Sequence, residues 1–102
     1  MAEVVWTEPA LDQLNAILEF IALDSPAATH VVARRVFAAT DRLASFPKMG
    51  RPIPEFPHKS YRQVWVMPFW LYYRTEGSRM IVLHVRRADK LFRTEDLLKE
   101  EG

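Results

Sequence analysis

Five side chains able to carry positive charge crowd one short stretch of this 102-residue sequence: His84, Arg86, Arg87, Lys90 and Arg93. Guanidinium and ammonium groups beside an imidazole can bind a phosphate, or stabilise the charge that develops as RNA is cleaved. An imidazole exchanges its proton near neutral pH, so His84 is a candidate acid or base. The competing reading of His84 is a strand histidine held by ordinary hydrogen bonds. Five aromatics precede the cluster: Trp65, Phe69, Trp70, Tyr72 and Tyr73. They could stack nucleic-acid bases, or form core or a protein interface.

Other chemistries find no support. The sequence has no Cys, so it offers no thiolate and no disulfide. His30 and His58 stand far from His84 and from each other, without ligand spacing, so no metal site is expected. No Ser/His/Asp order, glycine-rich phosphate loop or nucleotide fingerprint is present, and no cofactor is expected.

The charge is uneven. Residues 1–47 hold three Lys/Arg against six Asp/Glu, a balance of −3. Residues 48–93 hold ten against three, +7, and residues 94–102 hold one against four, −3. A basic block between acidic ends suits a polyanion or an acidic protein partner. Hydrophobic residues make up 49% of the chain, a large apolar supply for so small an interior, so part of it is expected to face a partner. The start of the chain lacks the basic and apolar runs of a signal peptide. The longest nearly apolar stretch, Val64 to Tyr73, is too short to span a bilayer and contains Pro68. A cytoplasmic protein without membrane contact is expected.

The elements that must position these residues follow from periodicity. Glu3 to Trp6 reads as a short strand. Thr7 can N-cap a helix in which Leu11, Leu14, Ile17, Leu18 and Ile21 recur at helical spacing, ending near Leu23. Ser25-Pro26 starts a second helix reaching about Phe46, with an apolar stripe of Ala28, Val32, Val36, Ala39, Leu43 and Phe46, widened by Ala33, Phe37 and Ala44. The short link between them dictates an antiparallel hairpin. Pro47, Gly50, Pro52, Pro54 and Pro57 exclude helix and central strand from the next segment.

After that segment the period becomes two. Tyr61 to Met67, Phe69 to Thr75 and Arg79 to Arg86 read as three strands joined by tight turns at Met67-Pro68 and Glu76-Gly77-Ser78. A short helix is expected to begin at Thr94. The order β-α-α-β-β-β makes one α+β domain over residues 1–102, an antiparallel sheet with a helical hairpin on one face. Strict alternation puts Arg62, Val64, Val66, Phe69, Leu71, Tyr73, Met80, Val82, His84 and Arg86 on one face. It puts Tyr61, Trp65, Trp70, Tyr72, Arg74, Ile81, Leu83 and Val85 on the other.

In this order the residues resemble the RelE/ParE superfamily of type II toxin–antitoxin toxins. The resemblance rests on Val5-Trp6-Thr7, on Ile17 to Ala22, and on Leu43 to Arg51 with Glu55 after it. It continues through Tyr61-Arg62, Pro68-Phe69 and Tyr73-Arg74 to Val82–Arg87. It covers nearly the whole chain and implies a plasmid-stabilisation or stress role. It also implies a cognate ParD- or RelB-like antitoxin, wrapped around the toxin in a hetero-oligomer. ParE-like members poison DNA gyrase; RelE-like members cleave mRNA on the ribosome without a metal.

Against the ribonuclease pattern, Arg62 stands where a strand Lys is usual and could keep a phosphate contact. Val64 replaces the second basic residue, and Trp70 replaces the Arg of the next strand. No Tyr follows Tyr73, and Phe92 cannot move a proton. The ParE-like reading, a growth inhibitor that binds gyrase without catalysis, is therefore preferred. It assigns target binding to Arg86, Arg87, Lys90 and Arg93. It assigns antitoxin binding to a groove at Ala33, Phe37 and Ala44, with acidic antitoxin residues meeting the basic strand end. A ribonuclease would rest on His84, Arg62, Arg86 and Arg87. The third reading is a toxin-like fold that survives as a non-toxic binding module.

Overall fold

Ser25 makes the helical hairpin possible by serving two helices at once. Its backbone is extended (φ −152°, ψ 103°) and its N–H closes the end of the first helix on Ile21 O at 2.9 Å. Its hydroxyl accepts the Ala28 N–H at 3.2 Å and opens the second, where Pro26 sacrifices no hydrogen bond. The computed structural model describes residues 1–54 and 60–87. Its elements are β1 (Glu3–Trp6), α1 (Glu8–Asp24), α2 (Pro26–Ser45), β2 (Arg51–Pro52), β3 (Tyr61–Val66), β4 (Phe69–Glu76) and β5 (Arg79–Arg87). Both helices start at the caps expected from sequence. The helix expected at Thr94 lies outside the described residues.

The strands form one five-stranded sheet in the order β1-β5-β4-β3-β2. Two features depart from a purely antiparallel meander. β1 pairs parallel with β5, a pairing open to it because both helices and three strands lie between the two in the chain. The Pro-rich segment contributes β2, two residues paired with Arg62 and Gln63 of β3, at the edge where a proline costs no ladder bond. Thr7 joins sheet and hairpin. It accepts the Ala10 N–H as N-cap and donates its hydroxyl to Val82 O at 2.9 Å.

The core lies between the hairpin and one face of the sheet. Leu14, Ile17, Ile21, Val32, Val36 and Leu43 meet Val66, Phe69, Leu71, Tyr73, Met80, Val82 and Val85. Phe69, Leu71, Tyr73, Met80, Val82 and Leu43 are fully buried, each stabilising by about 1.5–3 kcal/mol through lost water contact. Gly77 takes the left-handed conformation (φ 60°) in the β4–β5 turn, where a side chain would be strained.

Candidate binding surface on the open sheet face

A bulge in β5 decides which side chains share the functional face. Tyr72 pairs with His84 and Tyr73 with Val82, leaving Leu83 as the extra residue. Alternation reverses there. Val85 turns into the core at 3% exposure, while His84 and Arg86 turn to the face away from the helices. The grouping expected from strict alternation is corrected at these positions. His84 and Arg86 do share a face, but it is that of Trp65, Trp70 and Tyr72. Of the five aromatics noted in the sequence, Phe69 and Tyr73 belong to the core and the other three to this open face.

Tyr72 organises the surface. The Arg86 Nε–H donates to its hydroxyl at 2.9 Å, and the Arg86 guanidinium carbon lies 5.8 Å from its ring centroid. The His84 ring is 5.6 Å from the same ring, tilted by 48°. On the other side Trp65 and Trp70 pack with centroids 5.2 Å apart. Farther along, Arg74 and Arg79 both bond Glu76 at the hairpin tip and hold its carboxyl below the usual range. The result is a row of aromatic rings ending in one positioned guanidinium. It can stack planar groups or receive a protein surface carrying a carboxylate.

Burial, and secondarily the charge of Arg86, lowers the pKa of His84 from its ordinary 6.5, so the imidazole is neutral at pH 7. Unfolding releases it to titrate normally. Below the ordinary value the unfolded chain therefore binds the proton first, and stability falls as pH drops toward the lower folded value. We expect the urea midpoint to decrease from about pH 7.5 to about pH 5, and His84→Gln to remove part of that slope. An unchanged slope in His84→Gln would show that His84 is not the group responsible.

Arg62, a candidate phosphate contact, has another task. Its guanidinium donates to Gly50 O at 2.8 Å and to Lys48 O at 3.3 Å, fastening the loop after α2. Tyr73 fastens the same loop from inside, donating to Pro47 O at 2.6 Å and accepting the Gly50 N–H at 3.0 Å. Burial pushes the Tyr73 hydroxyl pKa up against the opposing pull of Gly50 and Arg62, so it stays a neutral donor.

The remaining assignments separate. Arg87 pairs with Phe69 on the helix side, its guanidinium 5.6 Å from the Phe20 ring, and so does not join Arg86 on the open face. Lys90 and Arg93 lie outside the described residues, as do Glu55, His58 and Phe92. In the expected groove, Phe37 is 68% exposed and Ala33 half-buried, but Ala44 is 5% exposed with its carbonyl accepting the Ala2 N–H. Ala44 is thus buried and offers a partner no surface. Gln13 and Phe20 of α1, not singled out in sequence, stand beside the end of β5. The only sequence signal was Phe20, a large apolar residue beside the polar Glu19 face of its helix. Among the described residues no three His, Asp or Glu gather to hold a metal, and no helix is long and apolar enough to cross a membrane.

Two helices on a mostly antiparallel sheet, with an aromatic and cationic open face, define a small α+β domain. The family model for the ParE toxin of type II toxin–antitoxin systems matches residues 4–92. Toxin RelE2 of Caulobacter vibrioides is 38% identical over 93 residues, spanning 89% of this chain and 100% of that protein. A chain of the chromosomal ParDE toxin–antitoxin system from P. aeruginosa superposes with a TM-score of 0.70 at 21% identity, over 87% of this chain and 98% of that one, and shares the fold. The chain belongs to the ParE toxin family and is a toxin of the type II class.

Proposed function

We propose that this toxin arrests growth in the cytoplasm by binding DNA gyrase through its open face, and that a cognate ParD- or RelB-like antitoxin holds it inactive in a hetero-oligomer. The carrying observation is the task of Arg62. Its guanidinium is committed to the Lys48 and Gly50 carbonyls, and Val64 two residues on packs against the core. No pair of β3 cations is left to grip a scissile phosphate, whose loss should cost orders of magnitude in cleavage. Trp65, Trp70, Tyr72 and Arg86 instead offer the aromatic and arginine anchors that dominate protein interfaces. Exposed Phe37, with Ala33 beside it, provides a helix surface for the antitoxin.

A second reading, a metal-independent endoribonuclease, draws on His84, Tyr72 and Arg86 lying together. One induction experiment separates the two. With gyrase as target, induction triggers a DNA-damage response and traps gyrase on cleaved DNA while primer extension finds mRNA intact, and His84→Ala leaves this unchanged. Codon-linked cuts that disappear in His84→Ala would replace the first reading by the second.

A further inference from the structure

We infer that the target surface continues off the open face onto the loop from Pro47 to Arg51, and that the groove between this loop and Trp65 takes an apolar side chain of the target flanked by carboxylates. The inference rests on the gyrase reading above and names a second anchor for that partner.

Strand register carries the open face to the loop. Arg51 of β2 stands opposite Gln63 of β3, Gln63 opposite Tyr72 of β4, and Tyr72 opposite His84 of β5. Cross-strand partners share a face, so Arg51 ends the row in which Tyr72 stands. β2 and β5 are three strand spacings apart, about 14 Å, so Arg51 and Arg86 flank the rings from opposite sides.

The rings alone are too small a surface to hold a protein. A stable interface buries about 800 Å² of each partner. Trp65 is 36% exposed and Trp70 and Tyr72 are less so, which leaves under about 300 Å² for the three together. The contact must therefore extend, and charge decides the direction. Toward the β4–β5 turn, Glu76 engages Arg74 and Arg79, and Glu3 of β1 is exposed. Toward the loop, Lys48 and Arg51 are exposed, and so are the apolar Phe46 at 65% and Met49 at 41%.

The groove, about 240 Å³, lies between Trp65 and Met49. Val64 and Ala39 give it an apolar lining, Arg35 and Arg42 stand on its α2 side, and no Asp or Glu lines it. An apolar side chain suits such a groove, and carboxylates beside that side chain would meet Arg42 and Arg51. The loop is also set before binding. Four hydrogen bonds, two at the Tyr73 hydroxyl and two from Arg62, hold Pro47, Lys48 and Gly50. Large exposed side chains on a fastened backbone lose little freedom when they dock, so they serve well as anchors.

The test measures binding of the toxin to purified gyrase holoenzyme by surface plasmon resonance. Arg51→Glu and Met49→Ser should each weaken binding by about tenfold or more, while Arg51→Lys, which keeps the charge, should retain most of it. Urea midpoints should match the parent's in all three, because both side chains are exposed. Peroxide footprinting read by mass spectrometry needs no variant: gyrase should protect Met49 from oxidation and leave Met1, 98% exposed, unprotected. Parent-like binding by Arg51→Glu and Met49→Ser, or an unprotected Met49 in the complex, would overturn the inference alone. So would protection of Met49 without gyrase, with rising toxin concentration or with DNA alone, since a second copy or a phosphate backbone would then hold the groove. A parent toxin that does not bind gyrase would overturn the gyrase reading, and the inference with it.

Discussion

Gly50→Ala is expected to destabilise the domain by about 3 kcal/mol, the upper range for an overpacked interior. Gly50 is buried against Tyr73. A Cβ at this position would stand 2.5 Å from the Tyr73 hydroxyl oxygen, 2.7 Å from Cε1 and 2.9 Å from Cζ. The ring cannot retreat, because Tyr73 is fully buried and its hydroxyl is tied to Pro47 O and the Gly50 N–H. The backbone cannot easily retreat either, since Arg62 holds the Gly50 carbonyl. Tyr73→Phe should cost less, about 1–3 kcal/mol, by leaving the Gly50 N–H buried without a partner. The double variant should lose less than the sum, because removing the hydroxyl removes the closest clash. Urea denaturation of the four proteins reads all three effects, and a Gly50→Ala midpoint equal to the parent would show that the clamp is soft. For a domain whose total stability is about 5–15 kcal/mol, the single methyl group takes a large share.

This clamp shows what the sequence makes visible and what it hides. The Pro47 to Arg51 segment is recognisable as irregular because two features are local: proline cannot continue a helix, and glycine punctuates it. That Gly50 serves a tyrosine 23 positions later is a tertiary fact. Its one trace is Tyr73 itself, a phenol at an inward strand position, whose hydroxyl must find a partner when buried. Helix starts were readable for the same local reason, since Thr7, Ser25 and Pro26 carry their caps in their own side chains. The bulge at Leu83 was not. It lies in an unbroken run, Met80 to Val85, without Gly, Pro or Asn to mark it, and either parity buries apolar side chains. One unmarked residue moved His84 and Arg86 to the aromatic face and Val85 into the core. The parallel β1–β5 pair was hidden as well, because pairing across the hairpin depends on how the hairpin packs. In the sequence the basic cluster reads as one patch because its members adjoin. Strand alternation divides adjoining residues between faces.

That division turns the basic strand end into separable parts, and Arg86→Glu alone is expected to abolish growth arrest. Arg86 is the cation that Tyr72 holds against the open face, by a hydrogen bond at 2.9 Å and by ring contact. A guanidinium positioned before binding loses little freedom when it meets a carboxylate, so its contribution exceeds that of an ordinary surface charge. Reversal places like charges together and should weaken target binding by about 100-fold or more, compared with the near-neutral loss of an exposed ion pair. Arg86 is exposed and contributes nothing apolar to the core, so the fold should persist. Arg87→Glu alone should leave arrest largely intact, because Arg87 turns to the Phe20 side of the sheet. Arg34→Glu, the same change of charge on the exposed face of α2, should leave arrest intact and controls for net charge. Growth curves after induction, with circular dichroism of each purified variant, decide the matter. Full arrest by a well-folded Arg86→Glu protein would move the target surface off the open face. The loop carrying Lys48 and Arg51, held rigid by Tyr73 and Arg62, would then be the next surface to reverse.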